Sequence, residues 1–122
     1  MRKYKLALIV PLCCAVLGCS SKPTTYAVKV EQKGPGGAAV GDSFAESVNG
    51  VCNTAENGGR QAHELFGSGN FTASFSGTFI SCKAIAKNPA NTLIMTITRA
   101  DGSTVGTSQN SQPRGQVVVE GS

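Results

Sequence analysis

Residues 71–82 read FTASFSGTFISC, with Phe71, Ala73, Phe75 and Phe79 on one parity and Thr72, Ser74, Ser76 and Thr78 on the other. Alternation of that kind, rich in threonine and aromatics, places one face on a core and the other in water, and predicts a β-strand from Phe71 to Cys82. The four-residue steps between rings would also suit a helical stripe. The Ser, Thr and Gly between them argue against that on propensity.

Downstream the same grammar continues. Thr92–Arg99 (TLIMTITR) reads as a strand, Asp101 and Gly102 as a hairpin turn, and Thr104–Ser108 as the returning strand. Pro113 and Arg114 lead into a closing strand at Gln116–Glu120 (QVVVE).

Upstream, Arg60–Phe66 (RQAHELF) has the composition of a helix of two turns at most, with Gly67 placed as a C-terminal cap would be. Asn57, Gly58 and Gly59 punctuate before it, and Phe44–Asn53 reads as a strand carrying Val48 and Cys52. Residues 34–42 (GPGGAAVGD) form a glycine-rich loop, and Tyr26, Val28 and Val30 alternate with Ala27, Lys29 and Glu31 as a first strand. Six or seven short strands at this spacing predict an all-β domain over residues 26–122. The expected architecture is a small antiparallel β-sandwich, immunoglobulin-like or similar, with one short helix and one disulfide.

The first eighteen residues follow different rules. Arg2, Lys3 and Lys5 precede an uncharged apolar run, Leu6–Leu17, interrupted only by Pro11. A membrane-spanning helix needs about 20 apolar residues, so this run is too short to span and has the anatomy of a secretion signal. Of 11 basic residues three leave with it, and the remaining eight face seven acids, for a formal charge of +1. That is no electrostatic footprint for nucleic acid.

Val16, Leu17, Gly18 and Cys19 resemble the lipobox of bacterial lipoproteins, a resemblance confined to the first twenty or so residues. It implies cleavage between Gly18 and Cys19, a diacylglyceryl thioether on Cys19, and a further acyl chain such as palmitate on the new amino group. Cys13 and Cys14 lack the preceding small residue. Ser20 stands where an Asp would mark inner-membrane retention, so the resemblance implies the outer membrane and a cell-envelope location. Two or three acyl chains make such an anchor effectively permanent. Residues 19–25 then serve as lipidated N-terminus and tether, Ser20–Thr25 reaching at most about 20 Å.

Of five cysteines, Cys13 and Cys14 leave with the signal and Cys19 carries lipid, so Cys52 and Cys82 face an oxidising compartment with one pairing open to them. A bridge over about thirty residues contributes roughly 3 to 4 kcal/mol in the loop-entropy account. Two buried free thiols, or half of a metal site, are the alternatives. A metal is not expected, because there is no C-x-x-C and His63 supplies only a third ligand.

Residues able to do chemistry are few: beyond the signal there are one histidine, two aspartates (Asp42, Asp101), five glutamates and no tryptophan. The glycine-rich loop lacks both phosphate-cradling patterns, and Thr72 replaces the third glycine after Gly67 and Gly69. His63-Glu64 begins a zinc motif in which Gly67 stands at the second histidine's place. No serine lies in G-x-S-x-G, so a hydrolase would rest on His63 alone, expected on a short helix facing solvent. Glu46, Glu56 and Glu64 cannot be paired across a cleft from sequence, and two distant aspartates do not make a calcium site. Asn70-Phe71-Thr72 matches a glycosylation sequon in what resembles a bacterial chain.

The sequence therefore favours a non-enzymatic, membrane-anchored envelope lipoprotein presenting its β-domain to a protein or surface partner, with no cofactor and no nucleic acid. A hydrolase inhibitor, for instance of lysozyme, is the alternative. The Ser-Gly-x-x-Tyr loop of membrane-bound lysozyme inhibitors is approached by Ser76-Gly77 but lacks the tyrosine. A structural part of an envelope complex is the second alternative.

Overall fold

The computed structural model describes residues 22–56, 58–110 and 115–122. The lipobox, with Gly18 and Cys19, and Pro113 and Arg114 lie outside the described residues.

Eight strands run in chain order: β1 Thr24–Lys33, β2 Ser47–Glu56, β3 Gly59–Ser68, β4 Phe71–Gly77, β5 Phe79–Ala86, β6 Thr92–Arg99, β7 Thr104–Asn110 and β8 Gln116–Gly121. They form two four-stranded sheets, ordered β4-β1-β6-β7 and β3-β2-β5-β8, and every pairing is antiparallel. This is the expected β-sandwich. Its strand order is not that of an immunoglobulin constant domain, and its bridge lies within one sheet rather than between two.

The core follows the alternation. Tyr26, Val28 and Val30 on β1 and Leu93, Met95 and Ile97 on β6 face Val48, Cys52, Ile80, Cys82, Val117 and Val119 of the other sheet, all buried. Phe71, Ala73 and Phe75 close it from β4. Cys52 and Cys82 are directly opposed in β2 and β5 and bonded, with Cα atoms 4.0 Å apart. That separation marks a non-hydrogen-bonded pair, in which side chains come closest.

Several expectations are corrected. Arg60–Phe66 is not a helix but most of β3, paired with β2 over ten positions from Glu56↔Gly59 to Ser47↔Ser68. Gly58 and Gly59 adopt φ of 88° and 147°, which turns the chain back at once, and the ladder then outweighs helical propensity. Gly67 is no cap: a Cβ there would lie 2.6 Å from the ring of Phe71.

The stretch 71–82 is two strands in different sheets. The chain crosses at Gly77 and Thr78, where a Cβ on Gly77 would meet the carbonyl oxygen of Ala55 at 2.6 Å and Thr78 N–H donates to that oxygen at 2.9 Å. The crossing turns Phe79 out of the core, and the Arg60 guanidinium stands 5.2 Å from its ring centre.

Finally, Phe44 belongs to a short 3-10 turn, Phe44–Glu46, ahead of β2. The first strand starts at Thr24, inside the expected tether. Thr92–Arg99 matches its expected bounds, and the hairpin after it turns at Asp101-Gly102 with Gly102 at φ 92°.

Candidate docking surface

The ladders decide what each outer face carries. On the β4-β1-β6-β7 sheet the outward positions include Thr25, Lys29, Thr72, Ser74, Ser76, Thr96, Thr98 and Thr107, a field of hydroxyls and charge. Thr25–Ser76 and Thr96–Thr107 are hydroxyl contacts across it, at 3.5 and 3.4 Å.

The other sheet differs. Its register aligns Phe66, Asn49, Ile85 and Gln116 in one outward row and Glu64, Val51, Lys83 and Val118 in the next. Phe66, Val118 and Ile85 remain 52%, 47% and 38% exposed, and Phe44, at the head of β2, is 70% exposed. The Lys87 ammonium lies 4.3 Å from the Phe44 ring centre, so a cation edges the apolar surface there as Arg60 does at Phe79. Large apolar groups gathered on one sheet face, with polar residues around them, are the usual signature of a surface that meets something.

Beside that patch the loops are held rigidly. Buried Gln32 donates through Nε2 to the carbonyls of Glu46 (2.7 Å) and Gly69 (3.0 Å), and its own N–H donates to Asn70 Oδ1 at 2.8 Å. Asn91, also buried, donates from Nδ2 to Gln32 Oε1 (3.0 Å) and Glu46 Oε1 (2.7 Å). Three connections, β1–β2, β3–β4 and β5–β6, converge on two amides that sequence reading did not single out. Asn70 of the sequon is one of the tied residues.

His63 lies on β3 toward the mouth between the sheets, its ring centre 5.0 Å from that of Phe75. Its Nε2 is 3.0 Å from Thr54 Oγ1 and 3.4 Å from Glu56 Oε2, while Thr54 donates to Glu56 at 2.6 Å. Thr54 has a single proton and gives it to Glu56, so the Nε2–Thr54 contact takes its hydrogen from the histidine. A general base would need that nitrogen bare, with an acid on Nδ1; here hydroxyl and carboxylate share one nitrogen. Thr54 foremost, and His63 after it, hold the Glu56 carboxyl below the usual carboxylate range.

The other candidates stay apart. Asp42 sits in the loop before β2, and Asp101 in the β6–β7 turn, where Oδ1 accepts from Ser103 N (2.8 Å) and Oγ (2.6 Å). Glu46 enters the amide clasp, and Glu64 faces outward on β3. Among the described residues no three His, Cys, Asp or Glu gather as a metal-binding group. Ser76 and Gly77 belong to the pinned sheet crossing rather than to a protruding loop.

Fold and surface together define a disulfide-bonded β-sandwich whose exposed large apolar strand residues, Phe66, Ile85 and Val118, all lie on one outer face, interspersed with polar ones. No protein-family model, curated protein or solved structure is found to match the chain.

Proposed function

We propose that the protein is a non-enzymatic envelope lipoprotein, anchored through lipid on Cys19, whose β-domain binds a protein partner with the outer face of the β3-β2-β5-β8 sheet. The observation that carries this reading is the contrast between faces: Phe66, Ile85 and Val118 stand exposed on the outer side of this sheet, with exposed Phe44 in the turn ahead of β2, while the opposite face is mostly hydroxylated and charged. The amide clasp of Gln32 and Asn91 supports it by fixing the loops beside the patch, so little ordering entropy is lost on binding. Lys87, Lys83 and Arg60 around the patch suit a partner that offers apolar groups flanked by carboxylates.

A photo-crosslinking residue placed at Phe66 in intact envelopes tests this against the same residue at Thr72 on the opposite face. One protein captured from position 66 and not from 72, and lost when Val118→Glu is added, is the expected outcome. Equal labelling from both positions would remove the assignment of the face.

A further inference from the structure

The ladders leave one long strand edge open. Among the described residues β3 pairs only with β2, and its ten residues include no proline and no bulge. Which of its backbone groups are free follows from the bridge. Cys52 and Cys82 are a non-hydrogen-bonded pair, so the N–H and C=O of Cys52 point away from β5 and toward His63. Gly69 N–H donating to Glu46 O, and Lys87 N–H donating to Ser47 O, fit the same alternation. The odd-numbered residues of β3 therefore bond to β2, and Arg60, Ala62, Glu64 and Phe66 turn their N–H and C=O groups to the open edge.

The side chains on that edge complement themselves. In an isologous antiparallel pairing the two-fold axis passes through one residue pair. Centred on Ala62, it sets Arg60 against the partner's Glu64 and Glu64 against the partner's Arg60, with two small alanines at the axis. No neighbouring register does this. Centred on Glu64 it opposes two like charges, and centred on His63 it sets Arg60 against phenylalanine. Ala62 is also among the residues whose backbone groups face outward, as a hydrogen-bonded central pair requires.

We infer that the partner of the β3 edge is a second copy of this chain, joined antiparallel about Ala62 into a continuous eight-stranded sheet. Three facing pairs supply about six backbone hydrogen bonds, and two Arg–Glu pairs fix the register. The apolar patches of both copies then share one face. The inference rests on the ladder and not on the anchor, so it stands or falls apart from the proposed function.

The test uses the purified full-length chain in detergent. Ala62→Cys is expected to form a chain-to-chain disulfide under mild oxidation at least tenfold faster than Thr107→Cys on the far face. Adding Arg60→Glu should cut that rate severalfold, and Arg60→Glu with Glu64→Arg should restore it, because the swapped pair is again complementary. A rate for Ala62→Cys no greater than that of Thr107→Cys overturns the pairing. Insensitivity to Arg60→Glu, or failure of the double exchange to rescue, overturns the register.

Discussion

Thr54, buried itself, has its single hydroxyl at the meeting point of a carboxylate and an imidazole. Because the Thr54 hydrogen bond, above all, keeps the folded Glu56 carboxyl below its ordinary value of 4.5, the folded chain binds that proton more weakly than the unfolded one. The contribution is fully present above pH 4.5 and is lost as pH falls through the folded value beneath it. Thr54→Val keeps shape and removes the donor. The Glu56 titration midpoint, followed by carboxylate NMR, should then rise toward 4.5, and the acid-side fall in stability should become shallower. An unmoved midpoint would assign the shift to His63 instead. The sequence showed His63 but not this cluster, since Thr54, Glu56 and His63 form no linear motif. They share a face only once the turn at Gly58 and Gly59 sets the register Thr54↔Gln61.

At the scale of elements, alternation was the reliable signal wherever one face was buried and the other wet. Tyr26–Glu31, Thr92–Arg99 and Gln116–Glu120 all fall within strands for that reason. It failed where the chain changed sheets, because the crossing at Gly77 and Thr78 inverts parity over too few residues to read as a loop: Phe71 and Phe75 point inward and Phe79 does not. It also failed at β3, an edge strand whose single buried leucine gives propensity little opposition. Adjacent residues on that strand provide a test. Leu65 is buried and Phe66 faces water, as a strand demands. Leu65→Ala should lower unfolding free energy by about 2 to 4 kcal/mol, and Phe66→Ala by less than about 0.5 kcal/mol, both read from denaturant midpoints. Comparable losses at both positions would mean that β3 does not present alternate faces. The docking patch was illegible from sequence for a related reason: Phe66, Ile85 and Val118 come from distant segments, and only the ladder sets them on one face.

At the scale of the whole molecule, the arrangement links the faces and the bridge. A two-fold axis normal to the sheet sends the starts of the two chains out at opposite ends of the pair. Under the proposed anchoring, the residues between Cys19 and the start of β1 at Thr24 reach at most about 15 Å, which keeps both domains of the pair close to the membrane. The proposed docking face depends on the β3-β2-β5-β8 sheet remaining intact when its outer side is loaded, and Cys52–Cys82 crosslinks its two central strands at sequence separation 30. The loop-entropy account assigns a bridge of that span about 3 to 4 kcal/mol, much of the 5 to 15 kcal/mol typical of a small domain. Cys52→Ala with Cys82→Ala should therefore lower the melting temperature by roughly 12 to 32 °C at about 4 to 8 °C per kcal/mol. Reductant should bring the parent chain down to nearly the same point and leave the double variant unmoved. If the variant melted with the oxidised parent, the sheet would owe its integrity to the ladder and core alone, and the bridge would have no part in holding the docking face.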